Sequence, residues 1–538
     1  MFNRFGKNRI RFFVFSACLA VLCSENAFSK PKNELVKEEP GFYYGYGKSA
    51  TKEDADFMAK RDLIENALTA TVRLTNPAAS KVTVSDDVVK ARLGNEKPFQ
   101  ASKDGKTVTY RMKDKDWEKA EEAYAAKLRT SLSSAYNNFN SKKDVAEKFS
   151  FAAEILSTLA VNGESDLLTL QDKGTELFSR KVESVCAKLA NELEMSFSVK
   201  DKIITPETPV VVTVKDGSGK EVAGLTVKAV WEVPYVSVIS EGAETSEVVS
   251  YLTTDDSGNV TVEYPVAEEY QNRVVSLTIS TALAQVKNST AEMRKIDASS
   301  AEEARFYCVE DVSEAFKTVE VAAGKFMAGK LENDKKASQR EVAHEVDLPA
   351  FEMSVAPVTN IQYMAYVYLT RAETNPEYVD NEDYSNPLQP IIGVSLKDAQ
   401  AYAEWLSAQL ECTFRLPVEE EWEKAARGGA QFIYPWGDDD PKKDKNANFK
   451  GNGLFNGPSP VGSYENGNNG LGLVDMSGNV WEWTTSNKNE KEENDLRTVK
   501  GGSWMDGPAD LRISNYKNVD LNTGYPDVGF RLVKEVSK

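Results

Sequence analysis

Between Ser503 and Tyr525 the chain reads SWMDGPADLRISNYKNVDLNTGY, a loop-like run rich in aromatic, amide and charged side chains. Ser503, Trp504, Asp506, Arg512, Tyr516, Asp520 and Tyr525 are candidates for ligand contact. Such residues on an irregular loop form an adaptable polar and aromatic surface. Chemistry beyond binding is narrowly bounded. No cysteine occurs in this run, and His344 is the only histidine of the chain. One imidazole excludes a polyhistidine metal centre and any relay that needs two. His344 sits in His-Glu-Val-Asp-Leu, whose alternation reads as a strand.

Five cysteines occur, and Cys18 and Cys23 fall in the first thirty residues. The remaining Cys186, Cys308 and Cys412 are too few and too far apart for a disulfide scaffold. A single Cys308–Cys412 bridge stays open. The formal charge is −18, which repels phosphate backbones and argues against a nucleic-acid partner.

These residues need elements to hold them. At 538 residues, roughly three domains are expected. With 41% hydrophobic and 28% charged residues, the composition is globular. Arg4, Lys7, Arg9 and Arg11 precede the apolar run Phe12–Cys23 and the small-residue site Ala27-Phe-Ser29. That order predicts a signal peptide over 1–29 and an exported protein: periplasmic, outer-membrane-associated or secreted. Ser-Ala-Cys18 is a weaker lipidation signal. No later segment is long and apolar enough to span a bilayer.

Residues 41–195 predict a helix-rich α+β module. Thr51 and Asp54 suit a capping pair, and Ala55, Met58, Ala59 and Leu63 share one helical face. The Gly-x-Gly and helix entry over 44–70 is faintly similar to small bacterial outer-membrane lipoproteins. Over 197–285, short alternating runs separated by Asp-Gly-Ser-Gly and Asp-Asp-Ser-Gly-Asn turns predict an immunoglobulin-like β-sandwich. They resemble bacterial Ig-like spacer repeats. Residues 286–316 are polar and predict a linker.

From 318 to 536 a series of motifs follows in order. They include FEMSVAPVTNIQYMAYV (351–367), RLPVEEEWEKAARGG (415–429), DMSGNVWEW (475–483), KGGSW (500–504) and VGFRL (528–532). Together they resemble the sulfatase-modifying factor, or formylglycine-generating enzyme, family. The resemblance implies a C-type-lectin-like α+β fold. The whole chain is then multidomain α+β, with the helix-rich module, the sandwich and this C-terminal domain.

The resemblance also implies calcium. Carried over, one site uses the side chains of Asp475 and Glu482 with the carbonyls of Gly478 and Val480. A second uses Asn448 and Phe449, with Phe455 as a further carbonyl. Calcium takes six to eight hard oxygens, which such loops can supply. The alternative is a first loop tied by Asn479 and Trp481 without metal. The family's oxidation of a substrate cysteine needs two thiolates, which bind copper as soft ligands. By position these fall on Asp506 and near Leu511, so copper is not expected and no catalytic residue is assigned. Ser503 matches a family active-site serine. The resulting expectation is an exported, non-catalytic binding protein whose partner is an envelope protein or glycan. An oxidase with altered chemistry and a recognition protein with a hypervariable loop are the alternatives.

Overall fold

The computed structural model describes residues 42–73, 89, 93, 97–103, 105–162, 178–233, 247–265, 273–286, 289–373, 378, 381–441, 445–451, 454–487 and 495–536. The expected signal peptide and Cys18 lie outside the described residues.

The amino-terminal unit is small. Strand Phe42–Lys48 pairs antiparallel with Thr107–Lys113, and helix Lys52–Arg73 lies across them. Two glycines allow this close approach. A Cβ on Gly45 would sit 2.1 Å from the Ala59 carbonyl oxygen, and one on Gly47 1.9 Å from that of Ala55. Thr51 caps the helix, accepting from the Asp54 amide at 3.1 Å. Ala55, Ala59 and Leu63 are buried against the strands, but Met58 is exposed, because that face is narrower than its spacing suggests.

The helices Asp114–Ser141, Val145–Asn162 and Phe178–Glu192 belong elsewhere. From Leu132 onward their apolar faces share one core with the sandwich, in which Ile155, Leu156 and Cys186 join Val212, Trp231 and Phe306. The 41–195 stretch is thus divided between two cores, and a helix spanning both is the reason its boundary is not audible in local periodicity.

One sheet of the sandwich orders its strands Lys202–Ile204, Glu302–Cys308, Arg273–Thr281, Thr226–Glu232 and Glu247–Thr253. The other orders Glu194–Phe197, Val210–Lys215 and Asn259–Val262. The stretch 286–316, expected as a linker, is built into this layer. Ala291–Ser299 is a helix capped by Thr290, and Glu302–Cys308 pairs with Arg273–Thr281 and Lys202–Ile204. Its charged edges hide a strand whose Ala304, Phe306 and Cys308 are buried. Cys186, Cys308 and Cys412 are all free thiols, so the Cys308–Cys412 bridge is not formed.

Among the described residues the carboxy-terminal domain has two four-stranded sheets and a hairpin. One sheet orders Thr318–Val321, Phe351–Ser354, Val533–Lys534 and Phe414–Arg415; the other orders Tyr516–Asp520, Leu496–Lys500, Trp481–Trp483 and Val528–Gly529. Helix Asn360–Thr370 starts at Thr359, whose amide donates to Gln362 Oε1 at 2.9 Å. Helix Leu396–Leu410 starts at the Ser395/Asp398 capping box. Tyr363, Tyr402, Leu406, Trp483 and Phe530 form the centre of the main core. His344 lies on the exposed edge strand His344–Leu348.

Sandwich and carboxy-terminal domain are joined by a continuous apolar seam. Val274, Tyr307 and Val309 pack against Ile361, Met364, Ala365 and Leu369. Arg305 donates to the Tyr368 carbonyl at 3.2 Å, and Gln409 Oε1 accepts from the Ile203 amide at 3.3 Å. Among the described residues no helix is long and apolar enough to cross a membrane.

Candidate functional site

Strand Leu496–Lys500 ends in Gly501 and Gly502, both at positive φ (98° and 76°). That turn is glycine-specific, since φ in this range is strained for other residues, and a Cβ on Gly502 would meet the Asp510 carbonyl oxygen at 2.9 Å. It delivers Ser503 into the interior and Trp504 to the surface. The Trp504 amide donates to the Asn479 carbonyl at 2.9 Å, and its indole to the Pro526 carbonyl at 3.4 Å. Tyr384 stands beside it at 6.1 Å between ring centroids.

Asp506 takes the place where the family resemblance expects the first thiol. Its Oδ2 accepts from the Trp481 indole at 2.7 Å, from the Ser503 amide at 3.2 Å and from the Ser503 hydroxyl. Asp527 reaches the same hydroxyl at 3.2 Å. One hydroxyl proton serves only one carboxylate at a time. Burial first, and then the charge of Asp506, push the Asp527 carboxyl upward, against Lys517 and Ser503. Asp506 and Asp527 thus meet at the Ser503 hydroxyl, with the Trp504 and Tyr384 rings nearby; hereafter these pairs are called the floor and the rim. Leu511, at the second thiol position, is buried with Tyr434, Ala447 and Phe449.

The remaining predicted contact residues do not join this floor. Arg512 is 4% exposed and donates to Glu341 at 2.6 and 3.0 Å and to Asp334 at 2.8 Å. It ties the segment before strand Tyr516–Asp520 to the loop that joins the two hairpin strands Gly324–Ala328 and His344–Leu348. Tyr516 is a buried strand residue, with the Arg340 guanidinium 4.7 Å from its ring centre. Asp520 accepts from the Asn522 amide at 2.8 Å, and the Tyr525 hydroxyl accepts from the Asp520 amide at 3.1 Å. Both brace their own loop. A polar loop composition does not distinguish side chains that face a ligand from those that hold the loop shut. Tyr384 and Asp527 join the candidate residues only through the structure, and Trp481, expected as a loop tie, holds Asp506 instead; Asp527 lies just before Val-Gly-Phe-Arg, the one local signal for it.

The carboxylates of the first expected calcium set are already engaged within the protein. Glu482 is fully buried and already carries a counter-ion. Arg531 Nε and Nη2 donate to it at 2.6 and 2.8 Å, and the Trp422 indole donates at 2.6 Å. Asp475 accepts from the Gly462 amide at 2.7 Å. Burial, reinforced by Glu482, pushes Asp475 up to about 6, although the Gly462 amide and Arg531 pull the other way. Gly478, at φ 79°, donates to the Gly501 carbonyl, and Val480 is buried beside it. Asn479 ties the loop through both amide ends to Ser459, at 2.8 and 3.1 Å. In the second set the Asn448 side chain donates to the Gly457 carbonyl at 2.9 Å, and Phe449 packs into an apolar cluster. Among the described residues no group of three or more acidic, histidine or cysteine side chains is placed to hold a metal ion.

Asp475→Asn tests this reading. An aspartate raised to about 6 from 3.8 destabilises the fold when ionised, above pH 6, and this cost fades as pH falls toward 3.8. The variant is expected to be more stable at pH 7.5 by roughly 1–3 kcal/mol, with the gain shrinking toward pH 4. Thermal melts across pH check it. A destabilised variant with calcium-dependent melting would place a cation there.

Buried ion pairs elsewhere support the same frame. Lys500 is fully buried between Glu419 at 3.4 Å and Glu423 at 3.2 Å, and Arg427 donates to Glu423 at 2.6 Å. Burial would raise Glu423, but Lys500 and Arg427 outweigh it and hold it low. The glutamates of helix Glu419–Arg427 thus serve side-chain partners in addition to the helix's positive end.

The family described as the sulfatase-modifying factor enzyme 1-like domain matches residues 308–536. The inactive C-alpha-formylglycine-generating enzyme 2 of Mus musculus is 30% identical over 279 residues, covering 41% of this chain and 86% of its own length. Hercynine oxygenase of Mycobacterium tuberculosis is 32% identical over 226 residues, covering 33% of this chain, and the match spans about half (51%) of that relative. Among solved structures, PvdO from Pseudomonas aeruginosa shares 28% identity over 41% of this chain and 94% of its own, with a TM-score of 0.36. By its motifs and by its match to nearly the whole of the mouse protein, this chain belongs to the formylglycine-generating enzyme, or sulfatase-modifying factor, family.

Proposed function

We propose that this chain is an exported, non-catalytic member of the family that binds a partner at the Trp504–Tyr384 rim above the Asp506/Asp527 floor. One observation carries the reading: Asp506, a hard oxygen ligand, stands where the oxidase chemistry calls for a thiolate, and the second thiol position is the core residue Leu511. Carboxylates do not stabilise Cu(I) as thiolates do. A pair of aromatic rings over a carboxylate floor supports a binding role, since half-buried Trp and Tyr give contact area at low entropic cost. The carboxy-terminal domain takes the C-type-lectin-like form, and the sandwich presents it. The basic-then-apolar amino end supports export, and the partner class is an envelope protein or glycan. Calcium is no part of this reading, because Glu482 is neutralised by Arg531.

The test is capture of envelope glycans and detergent-solubilised envelope proteins by the purified chain and by Trp504→Ala. The reading expects capture to weaken at least about tenfold, with the melting temperature held within about 2 °C because Trp504 is only half-buried. Equal capture by the variant would remove the rim from the site.

A further inference from the structure

Away from that rim, a cavity of 270 Å³ opens between helix Asn360–Thr370, the first turn of helix Leu396–Leu410 and the loop around Asn522 and Gly524. Tyr363 lines it while only 3% exposed, and its hydroxyl has no hydrogen-bond partner. Tyr402, stacked against Tyr363 at 5.8 Å, is fully buried and its hydroxyl is also unpartnered. The Tyr402 hydroxyl is sealed in the core, whereas that of Tyr363 keeps access to the cavity and is free to meet a guest there.

The polar groups around the cavity are of one kind. Asp398 spends Oδ2 on the Ser395 amide and hydroxyl, at 3.0 and 2.6 Å, and no contact commits its other oxygen. Glu373 lines the opening, exposed and without an ion pair among the described residues. Among the described residues no lysine, arginine or histidine lines the space. Burial and the Asp398 charge keep the Tyr363 phenol protonated and neutral, with lone pairs available to a donor.

The geometry points to this cavity as a binding site for a small primary amine, whose ammonium would be shared by Tyr363, Asp398 and Glu373. An ammonium has three donors and no acceptor, which matches three acceptors and no competing cation. The volume leaves room for a short alkyl stem beside the tyrosine ring. Two carboxylates and a phenol fall short of the six to eight oxygens calcium takes, so the charge preference is for an organic cation. The site is independent of the rim proposed above.

Isothermal titration of the full chain with 1,4-diaminobutane, with 1,4-butanediol as neutral isostere and with calcium chloride, tests it. The expected result is saturable, one-to-one diamine binding, with the diol at least about tenfold weaker. Tyr363→Phe and Glu373→Gln should each weaken the diamine at least about threefold. Tyr363→Phe removes only an unpartnered hydroxyl, so its melting temperature without ligand should stay within about 1 °C of the parent. No diamine binding at 10 mM (about the weakest useful range), equal binding of the diol, displacement of the diamine by calcium, or unchanged affinity in both variants would each overturn the assignment.

Discussion

Arg531→Leu is expected to destabilise the carboxy-terminal domain by about 3–5 kcal/mol. The guanidinium is fully buried and donates to both oxygens of Glu482, to the Ser354 and Val355 carbonyls at 3.2 Å and to the Val474 carbonyl at 2.8 Å. Leucine leaves Glu482 ionised in the core with the Trp422 indole as its remaining side-chain donor, and it takes a donor from three carbonyls, of which Val355 keeps the Val474 amide at 3.0 Å. Neutralising the stranded charge should recover part of the loss, so Arg531→Leu with Glu482→Gln is expected to be more stable than Arg531→Leu alone. Urea melts followed by tryptophan emission report this directly, because Trp422, Trp481 and Trp483 surround the pair. A single variant within about 1 kcal/mol of the parent would mean Glu482 has another counter-ion, and calcium would return as the candidate.

Arg512→Leu is expected to cost a similar amount, about 3–5 kcal/mol, and to do so through folding, not through loss of a ligand contact. Glu341 and Asp334 would remain buried without their partner. Burial alone would raise Glu341, but hydrogen bonds from Arg512 and Ser514 outweigh it and hold it at about 2. A carboxyl lowered from 4.5 stabilises the fold above pH 4.5, and that contribution is lost as pH falls toward 2. The parent should therefore lose stability over that window, and Arg512→Leu should show a much flatter acid limb. A variant that keeps the parent's melting temperature but loses partner capture would restore Arg512 to the binding surface.

The motifs from Phe351 to Leu532 were legible as one domain because they are local. Capping residues, a tryptophan and glycine turn, and the spacing between them can be read without knowing what they touch. Ser395 with Asp398 and Thr359 with Gln362 behave as their spacing implies. What was not legible depends on long-range pairing. Glu482 reads as a calcium ligand until Arg531, 49 positions later, is placed against it. Arg512 reads as a loop residue until Glu341, 171 positions earlier, is seen to receive it. Residues 286–316 read as a linker because charge masks the alternation of Glu302–Cys308. Within the candidate site, Ser503, Trp504 and Asp506 were found from the turn that carries them. Asp527 and Tyr384 arrive from other segments and complete it only in three dimensions.

The sharpest measurement is copper and aldehyde assayed together on the purified chain: Cu(I) loading under reducing conditions, then exposure of a Cys-x-Pro-x-Arg peptide to oxygen. With Asp506 and Leu511 at the two thiol positions, no stoichiometric copper and no peptide aldehyde are expected. Tight one-to-one copper with aldehyde formation would contradict the account and return this chain to the oxidases.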